Sequence, residues 1–414
     1  MRHAVSEPGG PPSCAGPLCW SCWRRARHSA VAIHAALLGA LVAAAVASAT
    51  AYATAAAFGG YGTHAGQFIE PFGLAVDRAS GDLYVLDTNN NRVEKFTASG
   101  RFLLAWGWGV ADGHTPALQT CARVCFGGLR GKGPGEFDFA EGIAIEQDPA
   151  SPFYGDVYIA DILNHRVQAF TPNGRFLMMF GRGVNPSARH RHETGDEDVC
   201  PVHAGDVCGT GVGTASGGAL EYPVEGHFIV AGATGTIYVG ERDRVQEFSP
   251  AGEYQGEVEL PRSNAPLEGE AGGVSGLQVD AAGDLYVIRV GVKGVDEFDP
   301  SGRPLRTFDE RETAENSEGP VPVVALGPAG DVFVDYFAGG EHRIDEFDPT
   351  GAELESFDRG MPDGLHGIAY SESLRALYVF DTGPNLAGVR VVPVPDTPRF
   401  QPTGGLALWL IPRI

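Results

Sequence analysis

The chain has 414 residues, 43% of them hydrophobic, and its 30 basic against 52 acidic residues leave a net charge of −22. So acidic a chain lacks the basic footprint that nucleic-acid binding requires, and that class of function is excluded. No segment of its long repetitive region carries a 3.6-residue apolar period, which excludes a helical repeat and points to short strands.

In chain order, Arg24, Arg25 and Arg27 precede an uncharged, alanine- and leucine-rich run from Ser29 to Ala57. Ala47-Ser48-Ala49 and Ala51-Tyr52-Ala53 offer small-residue cleavage sites, so residues 1–53 read as a secretory signal peptide. The same run is long enough to span a bilayer as an uncleaved transmembrane anchor. Cys14, Cys19 and Cys22 fall in this segment and are not expected to form a folded metal site. Removing residues 1–53 leaves 26 basic and 51 acidic residues, a balance that favours solubility and attracts cations outside the cell.

Residues 54–394 repeat one unit. Gly81–Gly107 reads GDLYVLDTNNNRVEKFTASGRFLLAWG, and Gly155–Gly181 reads GDVYIADILNHRVQAFTPNGRFLMMFG. The Tyr-Val pair at Tyr84-Val85 recurs as Tyr158-Ile159, Tyr238-Val239, Tyr286-Val287, Phe333-Val334 and Tyr378-Val379. The spacings are 74, 80, 48, 47 and 45 residues, so the first two carry insertions, placed at 108–134 and 182–221. A second landmark keeps the register: Phe96, Phe170, Phe248, Phe298 and Phe347 each stand four residues before a glycine.

The first copy predicts four strands, Phe72–Val76, Gly81–Asp87, Arg92–Thr97 and Arg101–Trp106, joined by turns such as Thr171-Pro172-Asn173-Gly174 in the next copy. Six copies of four antiparallel strands make an all-β, six-bladed β-propeller. The sixth copy supplies Gly367–Tyr370, Ala376–Phe380 and Gly388–Val394 and lacks a fourth strand. Ala56-Ala57-Phe58-Gly59 resembles Leu104-Ala105-Trp106-Gly107, so residues 54–59 are expected to complete the last blade. The proline-rich tail, 395–414, ends in an apolar stretch too short to span a bilayer.

Cys121 and Cys125 lie in the first insertion and Cys200 and Cys208 in the second, which reads as two local disulfides in an oxidising compartment. A rival reading takes Cys200, Cys208, His190, His192 and His203 as a metal site.

The motifs Gly66-Gln67-Phe68…Pro71-Phe72-Gly73-Leu74-Ala75-Val76-Asp77 and Asp161…Asn164-His165-Arg166-Val167 resemble the NHL repeat, with Asn90-Asn91-Arg92-Val93 in the same box. The resemblance is specific in the first two copies and reduces to a strand skeleton in the other four. It implies an exported bacterial propeller. Six-bladed relatives include metal-dependent lyases and lactonases with a site in the central channel, although the repeated histidine and carboxylate ring of those enzymes is missing here.

Aligning the copies puts Phe72, Glu141, Glu225, Ser275, Pro322 and His366 at the step where the innermost strand enters the channel. These residues form the expected ligand-binding mouth. Glu141, Glu225 and His366 together would suit calcium, or zinc by virtue of the imidazole. Asp87, Asp161 and Asp381 are expected to accept turn N–H groups or to pair with Arg92 and Arg166. No G-x-S-x-G elbow and no phosphate loop occurs. The functional expectation is an extracellular or cell-envelope binding and scaffold module, monomeric, that recognises a protein, peptide or glycan through loops at the channel mouth. The alternative is a metal-dependent extracellular lyase or hydrolase, lactonase-like or peptidyl-hydroxyglycine-lyase-like.

Overall fold

In a propeller strand both faces are covered, because a blade is packed between two others, and the second strand of each copy shows why its sequence is apolar throughout. Leu83 and Val85 join a core shared with Leu377 and Val379 of the sixth blade. Tyr84 and Leu86 point the other way, into a core with Ile143, Val157 and Ile159 of the second blade. Alternate side chains thus serve two different interblade cores, the period of two that a strand imposes. The same division recurs between blades two and three, three and four, and four and five.

The computed structural model describes residues 57–191, 196–201, 203–213, 217–220, 229–261, 273–290, 292–309, 323–338, 341–361, 367–381 and 387–394. They form six antiparallel sheets. The first blade runs Gly73–Val76, Leu83–Asp87, Arg92–Phe96 and Phe102–Trp108 from the axis outward. The second runs Ala140–Ile145, Val157–Asp161, Arg166–Phe170 and Phe176–Phe180. Ile229–Ala231, Val274–Val279, Val323–Leu326 and Ile368–Ser371 are the innermost strands of the remaining four. Each innermost strand packs beside the next around a full circle, and the last meets the first.

Closure occurs as the sequence predicts. Ala57–Gly59 pairs antiparallel with Gly388–Pro393, setting Ala57 opposite Arg390 and Phe58 opposite Val389. The Phe58 ring lies 5.1 Å from that of Phe96, so the spliced strand also packs on the first blade. Gly100 sits beneath it at φ 79°, where a Cβ would come within 2.3 Å of the Phe58 ring.

Two features go beyond four strands per blade. Leu118–Cys121 adds a fifth strand to the first blade and Val199–Cys200 adds one to the second. A short helix, Pro186–Arg191, lies inside the second insertion. No helix among the described residues is long and apolar enough to cross a membrane. The predicted signal segment 1–53, the tail 395–414, Glu225, Pro322, His192 and His366 lie outside the described residues, as does the side chain of Asp381.

Truncating the half-buried closing residue, Phe58→Ala, is expected to cost about 2 kcal/mol in urea unfolding, toward the low end for aromatic truncation. An unchanged midpoint would mean that the splice does not hold the ring.

Candidate functional site

Antiparallel order puts four things at one end of each blade: the start of the innermost strand, the turn between the second and third strands, the end of the fourth, and the crossing to the next blade. Both insertions are extensions of that crossing. This end is called the insertion face below.

Its foundation is a buried polar box. Arg92 is fully buried and donates from Nε to Asp87 Oδ2 at 2.9 Å. Its other nitrogens donate to the carbonyls of Thr63, His64, Gln67 and Phe126 at 2.7–3.0 Å. Asn90 donates to Asp87 Oδ2 and to Gly62 O, while Asp87 Oδ1 accepts from the Ile69 N–H. The second blade repeats the arrangement. Arg166 pairs with Asp161 at 2.8 Å and donates to the carbonyls of Lys132, Gly133, Glu136 and Gly209. Asn164 bridges Asp161 Oδ2 and Gly131 O. The residue between Asn and Arg turns the chain in the left-handed region, at φ 46° for Asn91 and 52° for His165.

The predicted pairing of Asp87 with Arg92 and of Asp161 with Arg166 is therefore present. The N–H groups the aspartates accept come from the incoming crossing, at Ile69 and Asp138, and not from their own turn. Later blades vary the chemistry. In the third, Glu241 pairs with Arg244. In the fourth, Arg289 stands where the aspartate was and pairs at 2.7 Å with Asp296, which occupies the position of Glu94, while Gly294 takes the place of the arginine.

One residue of the box differs between the first two copies. Glu94 accepts from Gly66 N–H and lies 2.9 Å from Arg92. Its counterpart Gln168 accepts from Gly135 N–H, and its amide donates to Glu136 O and to Asp161. Gln246 does the same in the third blade. Burial pushes the Glu94 carboxyl up to about 8 and that of Asp87 up to about 6, in each case against the pull of Arg92.

The disulfides form as expected, Cys121–Cys125 and Cys200–Cys208. The zinc reading of the second insertion thereby loses its thiolates. The two insertions, different in length and sequence, are one device used twice. Cys121 pairs across to Ala105 and Cys200 to Met179, the same position in each fourth strand. After the second cysteine, Phe126 N–H donates to Val110 O and Gly209 N–H to Val184 O, both at 2.9 Å. The carbonyls of the same two residues receive the box arginines, at 3.0 and 3.1 Å. Two residues on, Gly128 N–H donates to Asn90 O and Gly211 N–H to Asn164 O. A Cβ at either glycine would press to within 2.4 Å of Asn91 O or 2.0 Å of His165 O. Each disulfide therefore locks a lid onto the buried arginine of its blade, beyond the local staple that cysteine spacing implies. The sequence carried a signal for this that pairwise spacing missed: Gly107-Trp108-Gly109-Val110 and Gly181-Arg182-Gly183-Val184 open both insertions, and a glycine follows each second cysteine by three.

Of the channel-mouth residues, Phe72, Glu141 and Ser275 are described, and they do occupy equivalent steps. Glu141 and Ser275 are each the extra residue of a bulge at the start of an innermost strand. Gly73 packs so closely on the neighbouring blade that a Cβ would lie 2.6 Å from Glu141 O, and Gly367 would likewise meet Phe72 O at 2.7 Å. Glu141 and Ser275 are buried. Ser275 Oγ has no hydrogen-bond partner among the described residues. Among those residues no group of three or more His, Cys, Asp or Glu side chains could hold a metal ion.

The exposed side of the insertion face presents apolar side chains among charged ones of both signs, Glu70 included. Val124 and Val207 are 69% and 67% exposed, one in each disulfide loop, and Phe126, Leu163 and Val212 are exposed beside them in sequence or on the adjoining turn. Arg123, Arg130 and Lys132 are exposed in the same stretch.

The family model described as NHL repeat matches residues 68–96. Protein brain tumor of Drosophila melanogaster is 29% identical over 128 residues, 31% of this chain and 10% of that protein. Peptidyl-glycine alpha-amidating monooxygenase B of Xenopus laevis is 26% identical over 216 residues, 46% of this chain and 21% of that protein. The chain thus spans a small part of the curated relatives it matches. A solved virginiamycin B lyase from Staphylococcus aureus is 13% identical, with a TM-score of 0.43 over 82% of this chain and 88% of that one.

Replacing Arg166 with Ala leaves Asp161 buried without its cation, and the expected loss is about 3–5 kcal/mol in guanidinium unfolding. A loss under about 1 kcal/mol would show the box to be ornamental. Glu94→Gln tests the protonation argument. A carboxyl that holds its proton up to about 8 when folded, against 4.5 ordinarily, lowers stability as pH rises through that window. The glutamine variant is expected to melt higher than the parent above pH ~8 and to lose part of the decline between them. Superimposable pH profiles would refute this.

Proposed function

Because the chain is an NHL-repeat, six-bladed β-propeller, we propose that it acts as an exported binding and scaffold module whose recognition surface is the insertion face. The partner class is a protein, peptide or cell-envelope glycan. The carrying observation is the pair of disulfide-locked lids, which hold exposed apolar side chains at fixed positions above the ring. A contiguous loop surface on a rigid frame is where propellers and other scaffolds place recognition, and exposed apolar residues there are the usual anchors. Residues 1–53, read as a signal peptide, and two disulfides support export to an oxidising compartment.

A second reading, a metal-dependent lyase or hydrolase in the channel using Glu141, Glu225 and His366 with calcium or zinc, is supported by the partial match to the amidating monooxygenase and by Glu141 at the inner-strand bulge. It would predict a melting temperature sensitive to Glu141→Ala only in the presence of the metal.

Binding of the chain to peptide and glycan arrays, compared with the Val124→Asp/Phe126→Asp double variant, tests the first reading. The expected result is loss of at least about tenfold in signal, since each anchor carries on the order of 1 kcal/mol or more. The melting temperature should be unchanged. Equal binding by the variant would overturn the assignment of this face.

A further inference from the structure

At the opposite end of the blades, where the first strand turns into the second, the second blade departs from its neighbours. Asp77, Glu146 and Asp280 stand at the same step, each donating its N–H across the turn, to Asp82 O, Asp156 O and Asp284 O. In the first blade Asp77 uses both oxygens to close its own turn, accepting from Ala79 N–H at 3.0 Å and Ser80 Oγ at 2.6 Å. In the fourth, Asp280 Oδ1 accepts from Ala282 and Asp284 N–H. Glu146 is different. It is 0% exposed, its Oε1 accepts from Asp148 N–H at 2.8 Å, and its Oε2 is buried with no hydrogen-bond partner among the described residues.

The facing carboxylate has also lost its cation. In the first blade Lys95 Nζ lies 3.1 Å from Asp82, reaching it from beside Tyr84. Ala169 takes the place of Lys95 in the second blade, opposite Tyr158. Asp156, the counterpart of Asp82, makes no ion pair among the described residues. Arg175 draws on it only from a distance. Burial, together with the negative charge of Glu146, pushes the Asp156 carboxyl up to about 6 despite that pull. The third blade packs beside this turn: Gly235 lies on Glu146, where a Cβ would lie 3.3 Å from Oε1, and Pro250 O accepts from Tyr158 Oη at 2.8 Å.

A buried carboxylate oxygen without a donor, beside a second carboxylate stripped of its lysine and drawn on by Arg175 only from a distance, calls for a positive charge closer than any described side chain supplies. We propose that Glu146 and Asp156 hold a hard divalent cation of the calcium or magnesium class at the seam between the second and third blades. Two carboxylates suffice for such an ion, whose remaining positions go to backbone oxygens and water. The cation would pin the turn of one blade to the next on the side away from the lids, independently of any ion in the channel.

The test uses the full chain, freed of metal with EDTA and melted in calcium or magnesium from about 0.1 to about 10 mM, the range of extracellular calcium modules. The melting temperature is expected to climb steadily over that range. Terbium, as a calcium probe, should luminesce on excitation of the neighbouring tyrosine. Glu146→Gln and Asp156→Asn should each abolish the climb and the luminescence while melting no lower than the metal-free parent, because each relieves repulsion without removing volume. Asp280→Asn, at the same step of the fourth blade, should leave both responses intact. No metal response in the parent, or a response that survives Glu146→Gln or vanishes with Asp280→Asn, would overturn the proposal.

Discussion

Everything on the insertion face depends on a charged group placed where water cannot reach it. A guanidinium buried at Arg92 or Arg166 is tolerable only if its donors are met, and one aspartate cannot meet five. The remaining donors are satisfied by backbone carbonyls, and those carbonyls come from two separate stretches of chain: the crossing that enters the blade and the insertion that leaves it. The arginine thereby dictates the path of both. Arg is suited to this in a way Lys is not, because its planar fork addresses several acceptors at fixed angles. In the fourth blade Arg289 and Asp296, at the positions of Asp87 and Glu94, again put opposite charges in contact, although different positions of the box carry them.

This arrangement explains how long insertions coexist with a closed ring. A loop is ordinarily the least constrained part of a scaffold. Here each loop returns to the blade through the residue after its second cysteine, and a glycine two positions on lets the backbone settle onto the box. The disulfide limits the alternatives available to the loop, and the arginine selects one of them. The apolar side chains carried on the lids are consequently presented by a rigid support, which lowers the ordering cost of recognition.

The interblade cores do the complementary work of holding the ring. Each blade contributes alternate side chains to two neighbours, so the large cores belong to the seams between blades, and the spliced strand Ala57–Gly59 leaves the last blade no shorter than the rest. Local change at one seam is confined mostly to the two blades that share it. That is why the second blade can carry a buried Glu146 and an Asp156 with no ion pair among the described residues at one end while its box at the other end follows the first blade closely.

Six copies, four strands in each, the closing strand and the Asp–Arg pairs were legible in the sequence. Period-two alternation, turn residues and opposite charges at a constant offset are local properties, and a repeated unit displays them several times over. The equivalence of Phe72, Glu141 and Ser275 was legible for the same reason. The burial of Glu141 and Ser275 was not, because it depends on how closely one inner strand approaches the next, which Gly73 and Gly367 permit only once the ring is closed. Nor was it visible that Cys121–Cys125 and Cys200–Cys208 do the same job, since the loops differ in length and the carbonyls that matter have no side-chain signature. What the amino-acid order alone determined is the unit and its count. What the tertiary structure decided is which buried charges find partners, because that is settled by backbone atoms brought together from distant parts of the chain.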